Sequence, residues 1–363
     1  MLSLILPTFN ESDSLPHLLP RIKDALADTP HELIIVDDDS PDKTWKLAQD
    51  LTKDDDHIHI IRRIGRRGLS SAIMEGFLAA KGDVLAVMDA DGQHDVTLLP
   101  KLYAAAQNDA EVAIGSRYIE GGGVGEWDER RHFLSRFATR ITQWMCRVPV
   151  QDPMSGFFAI RKQAFDTLVN KLNPKGFKML LDILVCIPKN TVVRELPYTF
   201  GVREHGESKL SWKVQLDFLE YLYDASLGRL IPLLFVKYCI VGTMGVGVHM
   251  SAYMLFSSLF RNGSDLTVFN FSIAVLLAVE IAILFNFLLN NIWTFSQMRL
   301  RGSAAITGFA KYNAACAFGA MANMAVSTFL FSLGTVELLS VAIGAFTGVV
   351  WNYTMSRMLT WRG

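Results

Sequence analysis

The sequence predicts an α/β domain with a parallel, doubly wound sheet, followed by a domain of four transmembrane helices. Short apolar runs alternate with helical stretches early in the 363-residue chain, and four long apolar stretches fill the rest. Residues 232–363 contain seven Lys or Arg and three Asp or Glu, which by subtraction from totals of 35 and 36 leaves 28 basic and 33 acidic residues before them. We therefore expect a charged domain at residues 1–230 and an apolar one at residues 231–363.

The α/β prediction rests on strands and helices that alternate along the chain. The predicted strands are Leu2–Leu6, Glu32–Val36, Ile58–Ile61 and Val84–Met88. Helices fill the intervals and end near Asp28, Lys53 and Lys81, the first of them capped by Ser12 or Asp13. Alternation at this spacing indicates parallel strands joined by crossover helices.

Three of these strands end in polar or acidic clusters, at Pro7–Glu11, Asp37–Asp42 and Asp89–Gln93. Because the carboxyl ends of parallel strands meet at one edge of a sheet, we expect the three clusters to converge. Asp38 can accept hydrogen bonds from sugar hydroxyls or base N–H groups, while Asp89 and Asp91 can hold a divalent cation on a diphosphate. The convergence predicts a site for a nucleotide diphosphate compound.

Other classes of site lack their sequence patterns. There is no GxxxxGK[ST] loop, and no GxGxxG follows the first strand. The four cysteines are far apart and form no CxxC pair, so neither a zinc site nor a disulfide framework is predicted. A nucleic-acid partner is not predicted either.

Two amphipathic helices are predicted near the end of the charged domain. One covers roughly Arg131–Arg147, with Phe137 and Trp144 among its apolar residues, and the other covers Glu207–Leu230. Basic amphipathic helices that carry aromatic residues suit a membrane surface, although an ordinary core-facing helix would have the same spacing.

Four stretches are long enough to cross a bilayer, which needs about 20 apolar residues. They are Pro232–Phe256, Thr267–Asn290, Phe309–Leu333 and Val336–Leu359. Basic residues concentrate before the first span, between the second and third, and after the fourth, so the positive-inside rule places the charged domain and the C terminus in the cytoplasm. Within the spans Glu280 indicates either a conducting or flipping path or an interhelical hydrogen bond.

Several short motifs give the charged domain a family resemblance. They are PTFNE (Pro7–Glu11), VDDDSPD (Val36–Asp42), DADGQH (Asp89–His94), GSRY (Gly115–Tyr118), W-x3-R-x3-S (Trp127, Arg131, Ser135), DPMSGFFAI (Asp152–Ile160) and REHGESKLS from Arg203. On these motifs the domain resembles glycosyltransferase family 2, with its Rossmann-like GT-A fold, and more narrowly the dolichol-phosphate (polyprenyl-phosphate) mannose synthases. The membrane half is similar to GtrA-like four-helix domains.

The resemblance implies a role for each matching residue. Nucleotide-sugar contacts fall on Pro7, Phe9, Glu11, Val36, Asp38, Ala90, Lys178 and Lys209, together with Asp89, Asp91, Gln93, Arg117 and Arg203. The metal ligands for Mg²⁺ or Mn²⁺ are Asp89, Asp91 and Gln93, and the lipid phosphate falls on Arg117, Arg131 and Ser135. The implied catalytic residues are Asp89, Asp91, Gln93, Arg117, Arg131 and Arg203. Asp39, Lys43 and Asp95 depart from the family pattern and leave the base specificity open.

The activity that follows is metal-dependent, inverting transfer of mannose from GDP-mannose to a polyprenyl or dolichyl monophosphate at the cytoplasmic membrane face. One alternative is the same reaction with UDP-glucose. Another is a lipid-linked-sugar flippase whose charged domain only binds nucleotide sugar. A processive polysaccharide synthase is less favoured because the chain has no QxxRW motif. The predicted partners are the nucleotide sugar, the polyprenyl phosphate and the bilayer.

Overall fold

The structure is a computed structural model, and it describes residues 1–125, 129–146, 148–173, 178–201, 212–228, 230–260, 267–268 and 271–362. The chain forms two compact units, a front unit at Met1–Ser226 and a membrane unit at Leu227–Gly363.

The front unit is built on a seven-stranded sheet with the order β3-β2-β1-β4-β6-β5-β7. Its strands are β1 Leu2–Thr8, β2 His31–Asp37, β3 Ile58–Arg62, β4 Val84–Val87, β5 Val112–Ser116, β6 Phe158–Arg161 and β7 Val193–Pro197. Its α-helices are α1 Leu15–Ala25, α2 Thr44–Thr52, α3 Leu69–Ala79, α4 Leu99–Asn108, α5 Glu129–Cys146, α6 Lys162–Leu168, α7 Met179–Cys186 and α8 Trp212–Ser226. The predicted alternation of strands and helices is confirmed.

The central strands are buried on both faces, which explains their continuous apolar runs. Every residue of β1 and β4 is buried. One apolar cluster gathers the side chains of α1 and α4 on one face, and a second gathers those of α3, α6 and α7 on the other. This two-sided packing fixes the strand ends at which the polar clusters lie.

The four predicted strands pair in parallel as expected, but a later strand of the same sheet is reversed. β6 pairs antiparallel with both β4 and β5, so the sheet is mixed. The alternation of elements does not encode the direction of a strand that is inserted between two neighbours after a long connection. Because β6 is reversed, its first residue Phe158 pairs with Val87, the last residue of β4. The turn before β6 therefore reaches the same edge as the carboxyl ends of the parallel strands.

Helix boundaries differ in detail from those predicted. The first helix begins at Leu15, and its N-cap is Ser14, which makes no side-chain capping bond, so neither Ser12 nor Asp13 caps it. On the amphipathic helix α5, Phe137 and Trp144 have 53% and 81% of their surface exposed. Exposed aromatic side chains on a helix that also carries exposed Arg136 and Arg140 suit a membrane surface better than a core contact.

Among its described residues, the membrane unit contains four helices that are long and apolar enough to cross a membrane, Leu233–Phe260, Ile273–Thr294, Ser303–Ser332 and Glu337–Thr360. Their α-helical parts are α9 Leu233–Phe260, α10 Ile273–Leu289, α11 Ser303–Ser332 and α12 Glu337–Met355. A π-helical turn ends the second, at Asn290–Thr294, and another ends the fourth, at Ser356–Thr360. A two-stranded pair, β8 Thr267–Val268 and β9 Phe271–Ser272, precedes α10.

Candidate active site

The acidic turn after β4 is fixed by its own backbone. Asp91 is buried, and its Oδ1 accepts a hydrogen bond from the backbone N–H of Gln93 at 3.2 Å. Between them Gly92 has φ +76°, a left-handed conformation that glycine adopts without a steric cost. Asp95 ends the turn by accepting the N–H of Thr97 at 3.0 Å, which caps a short 3-10 helix. The turn thus presents Asp89 and Asp91 at the sheet edge.

Asp89 is held by a chain of two aromatic side chains. Nε2 of His94 lies 3.2 Å from Asp89 Oδ2, and Nδ1 of His94 lies 3.1 Å from the Tyr198 hydroxyl. Burial raises the pKa of Tyr198, so its O–H remains a donor. We assign the tautomer in which Tyr198 donates to Nδ1 and Nε2–H donates to Asp89, because it satisfies both bonds. The carboxylate of Asp89 is still 36% exposed and can receive a ligand.

Limited space explains why residue 156, in the DPMSGF turn, is a glycine. A Cβ atom at this position would lie 2.7 Å from Asp89 Oδ2. The reversed strand β6 brings this turn against the acidic edge, so only glycine leaves room for the carboxylate. The DPMSGF turn and the acidic turn Asp89–Gln93 therefore form one site.

Gln93 is tied to the segment after β7. Its Nε2 donates to the carbonyl of Gly201 at 3.0 Å, and the Gly201 N–H donates to the Gln93 carbonyl at 2.7 Å. The reciprocal pair fixes Gly201 beside the acidic turn.

Arg117 and Asp152 form a buried ion pair at the end of β5. Arg117 Nε and Nη2 donate to the two carboxylate oxygens of Asp152 at 2.7 and 2.8 Å. The Asp152 side chain is fully buried and that of Arg117 is 10% exposed. Burial opposes the charge on Arg117, yet the hydrogen bonds and charge of Asp152 keep the pKa of the guanidinium above its usual value. A paired, bidentate geometry of this kind is rigid.

Lys178 joins this charged group from the residue before α7. Its Nζ donates to the Met154 carbonyl at 3.3 Å. The residue as a whole is exposed, but its ammonium group lies among protein groups. The pKa of Lys178 is lowered mainly because burial removes water from the ammonium group, and next by the positive charge of Arg117. Asp89 and Asp152 oppose that shift. Lys178 therefore lies within the influence of both acidic and basic side chains at the carboxyl edge of the sheet.

A second charged group lies after β2 and β3. The side chain of Asp38 forms a buried ion pair with Arg63 and accepts the Gly68 N–H at 2.7 Å. The Arg67 guanidinium lies 4.8 Å from the centre of the Phe9 ring. Our sequence interpretation used Asp38 and Phe9 but missed both arginines. The run Arg62–Arg67, which begins at the last residue of β3, was the available signal, because that strand ends at the same edge.

The remaining predicted residues are placed as follows. Pro7 and Val36 are buried within β1 and β2, and Ala90 is buried in the acidic turn. Glu11 Oε2 accepts from the Ser14 hydroxyl at 3.2 Å, and Ser135 shares a 2.7 Å hydrogen bond with the Tyr118 hydroxyl. Arg131 belongs to α5, but its side chain lies outside the described part of the chain, as do Arg203 and Lys209.

The acidic turn suits a cation that takes only part of its ligands from protein. Among the described residues, no three His, Cys, Asp or Glu side chains group together as a metal site. Mg²⁺ commonly binds one or two carboxylates and completes its coordination with water and substrate phosphates. Two hard oxygen donors, Asp89 and Asp91, at an accessible edge fit that donor set.

Comparison with known proteins identifies two matching families and several similar proteins. Residues 3–169 match Glycosyl transferase family 2, and residues 237–361 match the GtrA/DPMS transmembrane domain family. A dolichol-phosphate mannosyltransferase of Pyrococcus furiosus is 39% identical over 99% of both chains. A polyprenol monophosphomannose synthase of Mycolicibacterium smegmatis is 36% identical over 57% of this chain and 80% of its own. A glucosyl-3-phosphoglycerate synthase structure from Mycobacterium tuberculosis has a TM-score of 0.46, with 20% identity over 62% of this chain and 80% of its own.

The family follows from the full-length similarity. It covers the acidic edge, the DPMSGF turn and all four membrane helices in a single alignment. The chain therefore belongs to the dolichol-phosphate mannosyltransferase family of glycosyltransferases, with a family 2 catalytic domain and a GtrA/DPMS transmembrane domain.

Proposed function

We propose that this protein transfers mannose from GDP-mannose to a polyprenyl or dolichyl monophosphate and releases GDP. The observation that carries the proposal is the 39% identity to a dolichol-phosphate mannosyltransferase over 99% of both chains. The joined acidic turn and DPMSGF turn support it, because they supply a charged edge where two phosphate groups can meet. The catalytic domain and the membrane domain are proposed at residues 1–230 and 231–363.

The acceptor needs no protein base. A phosphate monoester has a second pKa of about 6, so near neutral pH its oxygen is already an anionic nucleophile. This oxygen attacks the anomeric carbon of mannose, the bond from that carbon to the GDP oxygen breaks, and GDP leaves with the electron pair. In-line attack inverts the anomeric configuration. The demand on the protein is to hold two anionic groups close together.

Asp89 and Asp91 are the proposed ligands of Mg²⁺ or Mn²⁺, with Gln93 beside them. The bound cation supplies charge neutralisation at the leaving diphosphate. The Tyr198–His94 chain holds Asp89 in one orientation, and Gly156 leaves space for that orientation. The rigid turn therefore prepares the carboxylates before substrate binds.

The basic residues are assigned to the phosphates and the nucleotide. The charges of Asp89, Asp152 and Arg117 all act on Lys178, and Arg117 is itself paired with Asp152. Phe9 and Asp38 are proposed for the nucleoside, with Arg67 stacked on Phe9. Arg203 and Lys209 are proposed for the donor phosphates, and Arg131 with Ser135 for the lipid phosphate.

The reaction is proposed at the cytoplasmic face. Basic residues gather at the chain segments before α9, between α10 and α11, and after α12, which the positive-inside rule assigns to the cytoplasm. The exposed Phe137 and Trp144 of α5 support contact of the front unit with that surface.

The experiment is a donor panel. Membranes containing the full chain are incubated with Mg²⁺, polyprenyl phosphate and radiolabelled GDP-mannose, UDP-glucose or other nucleotide sugars, and lipid-extractable label is counted. We expect label from GDP-mannose alone. Label from UDP-glucose instead would favour the glucosyltransferase alternative, and binding without any transfer would favour the flippase alternative.

A further inference from the structure

The four membrane helices repeat in pairs. Shifted by 74 positions, α11 matches α9 at Phe235/Phe309, Lys237/Lys311, Tyr238/Tyr312, Gly245/Gly319 and Met250/Met324. The burial pattern repeats as well, since Tyr238, Val241 and Gly245 are buried in one helix and Tyr312, Ala315 and Gly319 in the other. α9 and α11 therefore use the same face.

The second helix of each pair repeats at a shift of 66 positions. The buried residues Ala274, Ala278, Ala282 and Phe287 of α10 correspond to Ser340, Gly344, Gly348 and Tyr353 of α12. The two π-helical turns, Asn290–Thr294 and Ser356–Thr360, correspond over their whole length. The shift is smaller because the connection within the first hairpin is longer.

Contacts are duplicated along with the residues. A Cβ on Gly245 would lie 2.2 Å from Asn286 Oδ1, and a Cβ on Gly319 would lie 2.0 Å from Asn352 Oδ1. The ring of Phe235 lies 5.1 Å from that of Tyr353, as the ring of Phe309 lies 5.4 Å from that of Phe287. The Tyr238 hydroxyl lies 3.4 Å from Ser356 Oγ, and the Tyr312 hydroxyl lies 3.5 Å from Asn290 Nδ2.

One contact joins a residue to its own counterpart. Phe295 and Trp361 follow the two π-helical turns and correspond at the shift of 66. Their rings stack on each other at 4.5 Å with an angle of 13°. Equivalent residues meet in this way at a two-fold axis. The hairpin α9–α10 and the hairpin α11–α12 are thus related by a pseudo-two-fold axis near these rings.

The symmetry is broken at polar contacts between the hairpins, at Trp361 with Asn291 and at Asn313 with Glu280. Asn313 Nδ2 on α11 donates to Glu280 Oε2 on α10 at 2.7 Å. The corresponding residues are Cys239 on α9 and Phe346 on α12, which cannot form such a bond. The two hairpins therefore differ at this contact, where the first hairpin carries a carboxylate and the second carries an amide.

We infer that the membrane unit is a duplicated helical hairpin and that Glu280 and Asn313 bind the hydroxyl groups of a lipid-linked sugar. We call this asymmetric pair of residues, where α10 meets α11, the seam. This inference rests on the proposed function, which supplies such a lipid as the product.

The position of Glu280 supports a ligand rather than a purely structural bond. It lies 14 residues before Thr294, or about 21 Å along the helix at 1.5 Å per residue, well inside a hydrocarbon layer of about 30 Å. Glu280 is exposed, and among the described residues its side chain accepts a hydrogen bond from Asn313. An exposed carboxylate at this depth is costly unless a polar partner meets it.

The charge of the seam selects the ligand chemistry. α10 has no Lys or Arg, and α11 carries Lys311 two positions before Asn313, but among the described residues no ion pair joins a cation to Glu280. A carboxylate that forms no ion pair repels a phosphate but accepts hydrogen bonds from hydroxyls. The mannosylated product has sugar hydroxyls and the acceptor lipid has none, so the seam distinguishes product from acceptor.

The test measures lipid binding to the full chain in phosphatidylcholine nanodiscs by native mass spectrometry. Chemically synthesised polyprenyl-phosphate mannose and polyprenyl phosphate are titrated onto the wild type, Glu280→Leu, Glu280→Gln and Asn313→Leu. The matched controls are Phe346→Leu and Cys239→Leu at the pseudo-equivalent positions. Thermal unfolding of each variant identifies any loss of fold.

We expect the wild type to bind two mannosylated lipids, one at the active site and one at the seam, and a single acceptor lipid. Glu280→Leu and Asn313→Leu weaken the second mannosylated lipid by at least tenfold, Glu280→Gln weakens it less, and the controls leave it unchanged. Equal stoichiometry in all variants, or equal loss of both lipids, overturns the inference. Because the lipids are synthetic, failure of the seam and failure of the proposed transfer are observed separately.

Discussion

The interactions that stabilise the interior of the front unit differ from those that stabilise the interior of the membrane unit. In the front unit, buried Arg63 and Arg117 are each paired with a carboxylate, Asp38 and Asp152. No ion pair joins the described side chains of the membrane unit, where stacked rings and glycine–asparagine contacts take that place. The difference teaches that buried charge is concentrated at the edge of the front unit that we propose for phosphate binding, while the membrane unit is stabilised by the fit of its side chains.

We expect the largest effect when one partner of a buried ion pair in the front unit is removed. Arg117→Ala leaves the fully buried Asp152 without its cation, and we expect the free energy of unfolding to fall by about 3–5 kcal/mol. The control is Arg194→Ala, which removes an ion pair with Asp109 whose side chains are 55% and 53% exposed. That variant should lose about 0–1 kcal/mol. Denaturant unfolding measures both, and equal losses would contradict the account.

A smaller effect tests the shape-based packing of the membrane unit. Gly245→Leu and Gly319→Leu each press on an asparagine of the neighbouring helix, so we expect each to cost about 1–3 kcal/mol by overpacking. The two costs should be similar because the contacts are duplicates. Gly247→Leu is the control, since a Cβ there has no neighbour within 4 Å. Thermal unfolding in detergent measures all three, and an effect at only one glycine would argue against the duplication.

The smallest effect concerns a buried carboxyl away from the charged edge. Burial raises the pKa of Asp182 above the ordinary value of 3.8, against hydrogen bonds from the Asn173 N–H and the Tyr221 hydroxyl. Ionising this group therefore costs stability as the pH rises from 3.8 through the raised pKa, and the cost is absent below 3.8. The stability difference between wild type and Asp182→Asn should shift in favour of the variant over that range. Urea unfolding at several pH values measures it, and a constant difference would refute the assignment.

The sequence was sufficient for much of this structure because each successful prediction rested on local information. Buried strands showed as apolar runs, spans as long apolar stretches, and the acidic edge as carboxylates after strands. The reversal of β6 was missed because strand direction depends on contacts between distant segments. The pairing of Arg117 with Asp152, 35 positions apart in sequence, was missed for the same reason.

The proposed site shows the same limit. Asp89, Asp91 and Gln93 could be selected from one motif, and the structure places them in one turn. The Tyr198 hydroxyl that orients His94 comes from a residue 104 positions away. Arg63 could have been found from the arginine run after β3, had that strand end been included with the acidic ones.

The central claim is that the acidic turn after β4 binds the cation on which transfer depends. The decisive measurement is mannosyl transfer to polyprenyl phosphate as a function of Mg²⁺ concentration, for wild type, Asp91→Asn and the exposed, helix-capping Asp95→Asn. Because a lost metal ligand is worth several kcal/mol, we expect the transfer rate of Asp91→Asn to fall by about 100-fold or more and to require more Mg²⁺. Asparagine is also a good helix cap, so the transfer rate of Asp95→Asn should stay within about twofold of wild type. Equal activity and equal Mg²⁺ dependence of Asp91→Asn and wild type would contradict the account.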